Sequence, residues 1–106
     1  MRILFDQGTP VPLRRVLDAH RVETAYEQHW STLDNGDLLA AAEENGFDIL
    51  VTTDLNLRYQ QNLAGRKIAI VALSTPSWPR IRNATEIVVA AVEQASHGSY
   101  CEVSIP

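Results

Sequence analysis

Two stretches of this chain, Phe47-Asp48-Ile49-Leu50-Val51-Thr52 and Lys67-Ile68-Ala69-Ile70-Val71-Ala72-Leu73, are apolar and rich in β-branched residues but show no strict alternation of polar and apolar positions. A strand with one wet face alternates, whereas a strand covered on both faces does not. These two segments therefore predict central strands of a parallel sheet with helices above and below. That constraint organises the rest of the chain.

Arg2-Ile3-Leu4-Phe5 is a third short apolar run, ending in Asp6-Gln7-Gly8, and predicts a buried strand followed by a turn. Pro10 and Pro12 suit a turn or a first helical position, and Leu13, Val16 and Leu17 share a helix face, so a helix is expected to about His20. Arg21 to Tyr26 places Val22, Thr24 and Tyr26 on one face and reads as a strand nearer an edge. Ser31 to Asp37 is rich in cap formers and leads into Leu38-Leu39-Ala40-Ala41-Ala42-Glu43-Glu44, a helix stopped by Asn45-Gly46. A third helix is expected from Leu55 to Leu63, stopped by Gly65, and a fourth from Asn83 to Ala95, after a proline-containing connection from Ser74 to Pro79. Tyr100 to Ile105 has the pattern of a last strand.

Strands alternating with helices favour an α/β fold with a mainly parallel sheet of four or five strands and helices on both faces. With 106 residues, the chain is expected to form a single domain over residues 1–106. Hydrophobic residues make up 45% and charged residues 21%, as in soluble globular proteins. No apolar run approaches the ~20 residues that cross a bilayer, so no membrane association and a cytoplasmic location are expected. A single cysteine, Cys101, excludes an internal disulfide, and no Cys or His spacing suits structural zinc. Cys101 is read as a buried strand residue, and His20, His29 and His97 as surface residues. The net charge of −4, with eight arginines and one lysine, argues against a broad basic nucleic-acid face. It leaves room for an active site built of carboxylates.

Ligands of open α/β sheets gather beyond the carboxyl ends of the strands. The first and third strands both end in aspartate, as Phe5-Asp6 and Thr52-Thr53-Asp54. Asp37, at the start of the second helix, is placed to join them, and Glu43 is a more distant candidate. Three converging carboxylates would repel one another, whereas Mg²⁺ or Mn²⁺ would satisfy them through oxygen ligation.

With these motifs the chain resembles the short PIN-like domains related to VapC-type toxins of bacterial toxin-antitoxin systems. The resemblance rests on Leu4-Phe5-Asp6-Gln7 leading to Pro10, on Asp37-Leu38-Leu39 opening an alanine-rich helix, and on Val51-Thr52-Thr53-Asp54 closing a strand. It implies a three-layer PIN-like fold and a metal-dependent endoribonuclease that cleaves single-stranded RNA. Asp6, Asp37 and Asp54 would be the catalytic acids and, with Asn56, the ligands of Mg²⁺ or Mn²⁺. Thr52, Thr53 and Arg58 would contact substrate. The partners implied are RNA and a small antitoxin protein, with a homodimer left open. Asn56 and Leu57 stand where the family commonly carries a second acid and an aromatic residue, which keeps a catalytically impaired binding module as an alternative. A receiver-like phosphoacceptor domain also places acids after strands one and three. It calls for paired acids and a late lysine, and this chain has only Gln7 after Asp6 and Lys67 at a strand start.

Overall fold

The computed structural model describes residues 1–106, the side chain of Gln60 excepted. Five strands, β1 (Arg2–Phe5), β2 (Arg21–Thr24), β3 (Ile49–Thr52), β4 (Ala69–Leu73) and β5 (Tyr100–Val103), form one sheet in the order β2-β1-β3-β4-β5. Every neighbouring pair is parallel. Ile3 pairs with Val22 on one side and with Ile49 on the other, so β1 lies between β2 and β3. The chain leaves β1 toward one edge and returns past it to β3, making a topological switch point between β1 and β3.

Four α-helices complete the fold: α1 (Asn35–Glu44), α2 (Leu57–Gln60), α3 (Trp78–Arg82) and α4 (Thr85–Gln94). The two-residue period of the strands divides the interior into two cores. Ile3, Phe5, Ile49, Val51, Ala69, Val71 and Leu73 pack with Leu13, Ile81, Val88 and Val92 on the α3 and α4 side. Leu4, Leu50 and Ile70 pack with Leu38, Leu39, Ala42 and Leu57 on the α1 and α2 side. The sheet is thus sandwiched between two helical layers, an α/β fold consistent with the three-layer PIN-like arrangement. All four residues of β3 and all five of β4 are buried, the physical reason that these segments do not alternate.

Three expected features differ. Instead of a helix running to His20, a 3-10 helix covers Val11–Arg15, and its bonds span three residues, as from Leu13 N to Pro10 O at 3.1 Å and Val16 N to Leu13 O at 3.0 Å. Pro10 and Pro12 lack the N–H groups that would extend this turn toward its N-terminus. The third helix is cut to Leu57–Gln60 because Gln61 is extended, with φ −125° and ψ 140°, and Asn62 Oδ1 accepts from Ala64 N at 3.0 Å. That local turn competes with helix continuation. The connection read from Ser74 to Pro79 instead enters α3, with Pro79 in its first turn, where a missing N–H costs nothing.

Cys101 is exposed rather than buried, because β5 is an edge strand. His20 is not a surface group: its side chain is only 10% exposed, with Nε2 lying 3.2 Å from Glu93 Oε1. Among the described residues, no helix is long and apolar enough to cross a membrane.

Candidate active site at the carboxyl edge

Asp6 follows β1 directly, and Asp54 lies two residues beyond β3. Asp6 and Thr52 share the side-chain phase of Leu4 and Leu50, so both turn toward the α1 side of the sheet. The Thr52 hydroxyl donates to Asp6 Oδ2. Thr52 Oγ1 also accepts from Asp54 N at 3.0 Å, so one buried threonine joins the two acidic turns. Gly8 lies against the second turn as well: a Cβ added there would stand 2.7 Å from Thr53 Oγ1, closer than any side chain tolerates.

The Thr9 hydroxyl lies 2.6 Å from Asp6 Oδ1 and 2.9 Å from Val51 O. A hydroxyl has one hydrogen and donates to only one of these acceptors at a time. Asp6 is therefore mostly surrounded by neutral donors, with no cation paired to it among the described residues. Burial raises its pKa above the usual carboxylate value, and the hydroxyls of Thr52 and Thr9, with the backbone N–H groups of Gly8 and Thr9, only partly offset that.

Asp54 is half-buried and serves its own turn. Its Oδ1 accepts from Asn56 N at 2.9 Å and its Oδ2 from Asn35 Nδ2 at 3.0 Å. The Asn35 contact ties the first turn of α1 to the loop after β3. Asp34 caps this helix, accepting from Asp37 N at 2.8 Å. Asp37 itself is exposed in the first turn, where a carboxylate complements the helix dipole.

The structure thus brings Asp6, Thr52, Thr53 and Asp54 together and leaves the other candidates further out. Asn56 contributes its backbone N–H, while its exposed amide makes no hydrogen bond among the described residues. Arg58 forms an ion pair with Glu102 of β5 at 3.5 Å and lies over the rings of Tyr59 and Tyr100, 4.6 and 5.5 Å from their centres. Glu43, at the far end of α1, binds the segment entering β4 and not this edge.

Thr9 and Asn35 are the contributors that sequence reasoning missed. Thr9 had a signal, a hydroxyl three residues after an aspartate in a turn. Asn35 had only its place in a cap-rich segment.

The donor set can be compared with what a divalent cation needs. Among the described residues, no group of three or more Asp, Glu, His or Cys side chains is placed to hold a metal ion. Two carboxylates joined by a threonine hydroxyl, with an asparagine amide beside them, do suit a hard cation that keeps most of its waters, as Mg²⁺ does. Two cavities open beside Asp6 and Gln7: one of about 170 Å³ toward Trp30 and Asn35, and one of about 340 Å³ toward Tyr26 and Arg14. Comparison of the chain with protein-family models, with curated proteins and with solved structures finds no match.

Proposed function

We propose that this chain is a PIN-like, metal-dependent endoribonuclease acting on single-stranded RNA, with Asp6 and Asp54 as its principal acids. The observation that carries this reading is the pairing of these acids through Thr52 at the switch point of a parallel sheet, where ligands of such sheets bind. A bound Mg²⁺ or Mn²⁺ would supply an activated water and stabilise charge on the scissile phosphate. Asp6 and Asp54 would hold the cation, Thr52 would fix their spacing, and Asn35 would orient Asp54. Asp37 and Asn56, both exposed, would support the cation from outside this pair. Arg58 fits a contact with RNA backbone only if it leaves Glu102.

In the setting implied by the sequence motifs, the protein would be the toxin of a toxin-antitoxin pair, and its antitoxin would cover the acidic edge. One observation favours a second reading, a binding module with impaired catalysis: three of the four carboxylate oxygens of Asp6 and Asp54 accept hydrogen bonds from within the chain, and the fourth, Asp6 Oδ1, shares the Thr9 hydroxyl with Val51 O. The receiver-like alternative shares the strand order but lacks its lysine, since Lys67 is exposed ahead of β4.

Incubation of the purified chain with Mn²⁺ and single-stranded RNA, beside Asp6→Asn and Asp54→Asn, separates these readings. Cleavage by the parent and its loss in both variants are expected, together with a Mn²⁺-dependent rise in Tm that Asp6→Asn removes. A parent whose Tm ignores Mn²⁺ would defeat the metal-site reading.

A further inference from the structure

We infer that the larger cavity beside Asp6 is a nucleobase pocket, in which Tyr26 stacks on the base and Gln7 reads its edge. The inference rests on the nuclease reading for its biological setting, but its physical basis is independent. The cavity holds about 340 Å³, within the roughly 300–1,000 Å³ of small-molecule pockets. It is lined by Gln7, Val11, Arg14, Thr24, Tyr26 and Glu27 as well as by Asp6 and Thr9, so an occupant would lie directly beside the carboxylate site.

Charge and shape narrow the occupant. Tyr26 leaves 74% of its surface in water and Val11 leaves 55%, so two apolar groups of the lining stand open to solvent. Arg14 is the cation of the lining, and it is already paired: Nη1 and Nη2 donate to the two carboxylate oxygens of Glu27 at 3.2 and 2.7 Å. Glu27 Oε1 also accepts from Thr24 N at 2.9 Å, which anchors the pair to the end of β2. The Arg14–Glu27 pair is thus neutral overall and anchored to β2, and Asp6 adds a carboxylate to the wall. A phosphate would meet two carboxylates, Asp6 and Glu27, and a guanidinium whose Nη1 and Nη2 already donate to Glu27. A flat, uncharged, polar-edged ring meets no such penalty.

Gln7 supplies the recognition group. Its side chain is exposed and makes no hydrogen bond among the described residues, leaving an amide donor and an acceptor in one plane beside the cavity. Unstacked bases of single-stranded RNA are bound in this way, by an aromatic face and by hydrogen bonds to their edges.

The test is an NMR titration of the full chain in EDTA with each of the four ribonucleoside 5′-monophosphates, with ribose 5-phosphate as the baseless comparison. At least one nucleotide is expected to shift the amides of Gln7, Val11 and Tyr26, and ribose 5-phosphate to leave them in place. Tyr26→Ala should weaken binding about five-fold or more, the loss typical of one stacked base. Tyr26→Trp should retain binding, Gln7→Ala should reduce the preference among bases, and Tyr59→Ala, an exposed tyrosine away from the cavity, should change nothing. Equal shifts from ribose 5-phosphate, no shift from any nucleotide, or full affinity in Tyr26→Ala would overturn the inference. Because no metal is present, the two readings fail separately. Base binding without Mn²⁺-dependent cleavage defeats only the nuclease, and cleavage without base binding defeats only the pocket.

Discussion

Two partly buried carboxylates at opposite edges of the sheet, Asp6 and Glu43, meet contrasting surroundings. Glu43 accepts from Arg66 Nη1 at 2.5 Å and from the backbone N–H of Lys67 at 2.6 Å and of Ile68 at 3.4 Å. Burial pushes its pKa up, but Arg66 and those two N–H groups together outweigh burial and hold it below the ordinary glutamate value. Asp6 is met chiefly by hydroxyls, and burial prevails. One acid is matched by donors that favour its charge and locks the entry to β4. The other is held where its charge is unfavourable, a pattern common at functional sites.

The contrast can be broken by substitution. The largest expected effect is on cleavage: Asp6→Asn and Asp54→Asn should each lower kcat by on the order of 100-fold or more in Mn²⁺ assays, since both remove charge from the proposed cation site. Next is Glu43→Gln, which turns an amide donor toward groups that only donate. It should cost about 2 kcal/mol in urea unfolding, as expected for loss of charge-assisted hydrogen bonds. Because the folded pKa of Glu43 lies below its unfolded value of 4.5, its contribution is present above that value and is lost as pH falls through the folded pKa. The gap between parent and variant should therefore close in acid.

Asp6→Asn should act in the opposite sense on stability. Its amide can donate to Thr9, which is then free to donate to Val51 O, while its oxygen still accepts from Thr52; loss of the buried charge outweighs the weakened bonds from the Gly8 and Thr9 N–H groups, as burial outweighs them in the parent. A gain of about 1 kcal/mol at neutral pH is expected, as for other stabilising changes at active sites. The folded pKa of Asp6 lies above its unfolded value of 3.8, so its contribution is present below that value and is lost as pH rises through the folded pKa. The gain should shrink as pH falls, and a variant that is less stable at every pH would remove the contrast. Smallest is Cys101→Ser, at an exposed edge position, expected to stay within about 0.5 kcal/mol of the parent.

These contrasts also mark how far the sequence could be read. β3 and β4 were legible because burial on both faces leaves an unbroken apolar run. Asp6 and Asp54 were legible because strand ends in an α/β sheet are where ligands collect. Donor identity was not: Thr9 meets Val51 O across 42 residues and Thr52 meets Asp6 across 46, and such partners are fixed only by the sheet register. The extent of the helices was partly hidden for a local reason. A single side-chain turn at Asn62 and a three-residue bonding pattern after Pro10 set boundaries that periodicity does not encode. The different duties of Glu43 and Asp37, both on α1, depend on which end of the helix faces which edge.

The strand order has a further consequence for how the molecule comes into being. With no hairpin in the sheet, even its nearest ladder joins Arg2 to Arg21, and β1 must wait for Ile49, Leu50 and Val51 before its second side is paired. Such long closures slow folding, since entropy is lost before contacts form. During synthesis, the acidic centre cannot exist until the chain has been made past Asp54. Between the synthesis of Asp6 and that of Asp54, the nascent protein would carry Asp6 without the partners that position it.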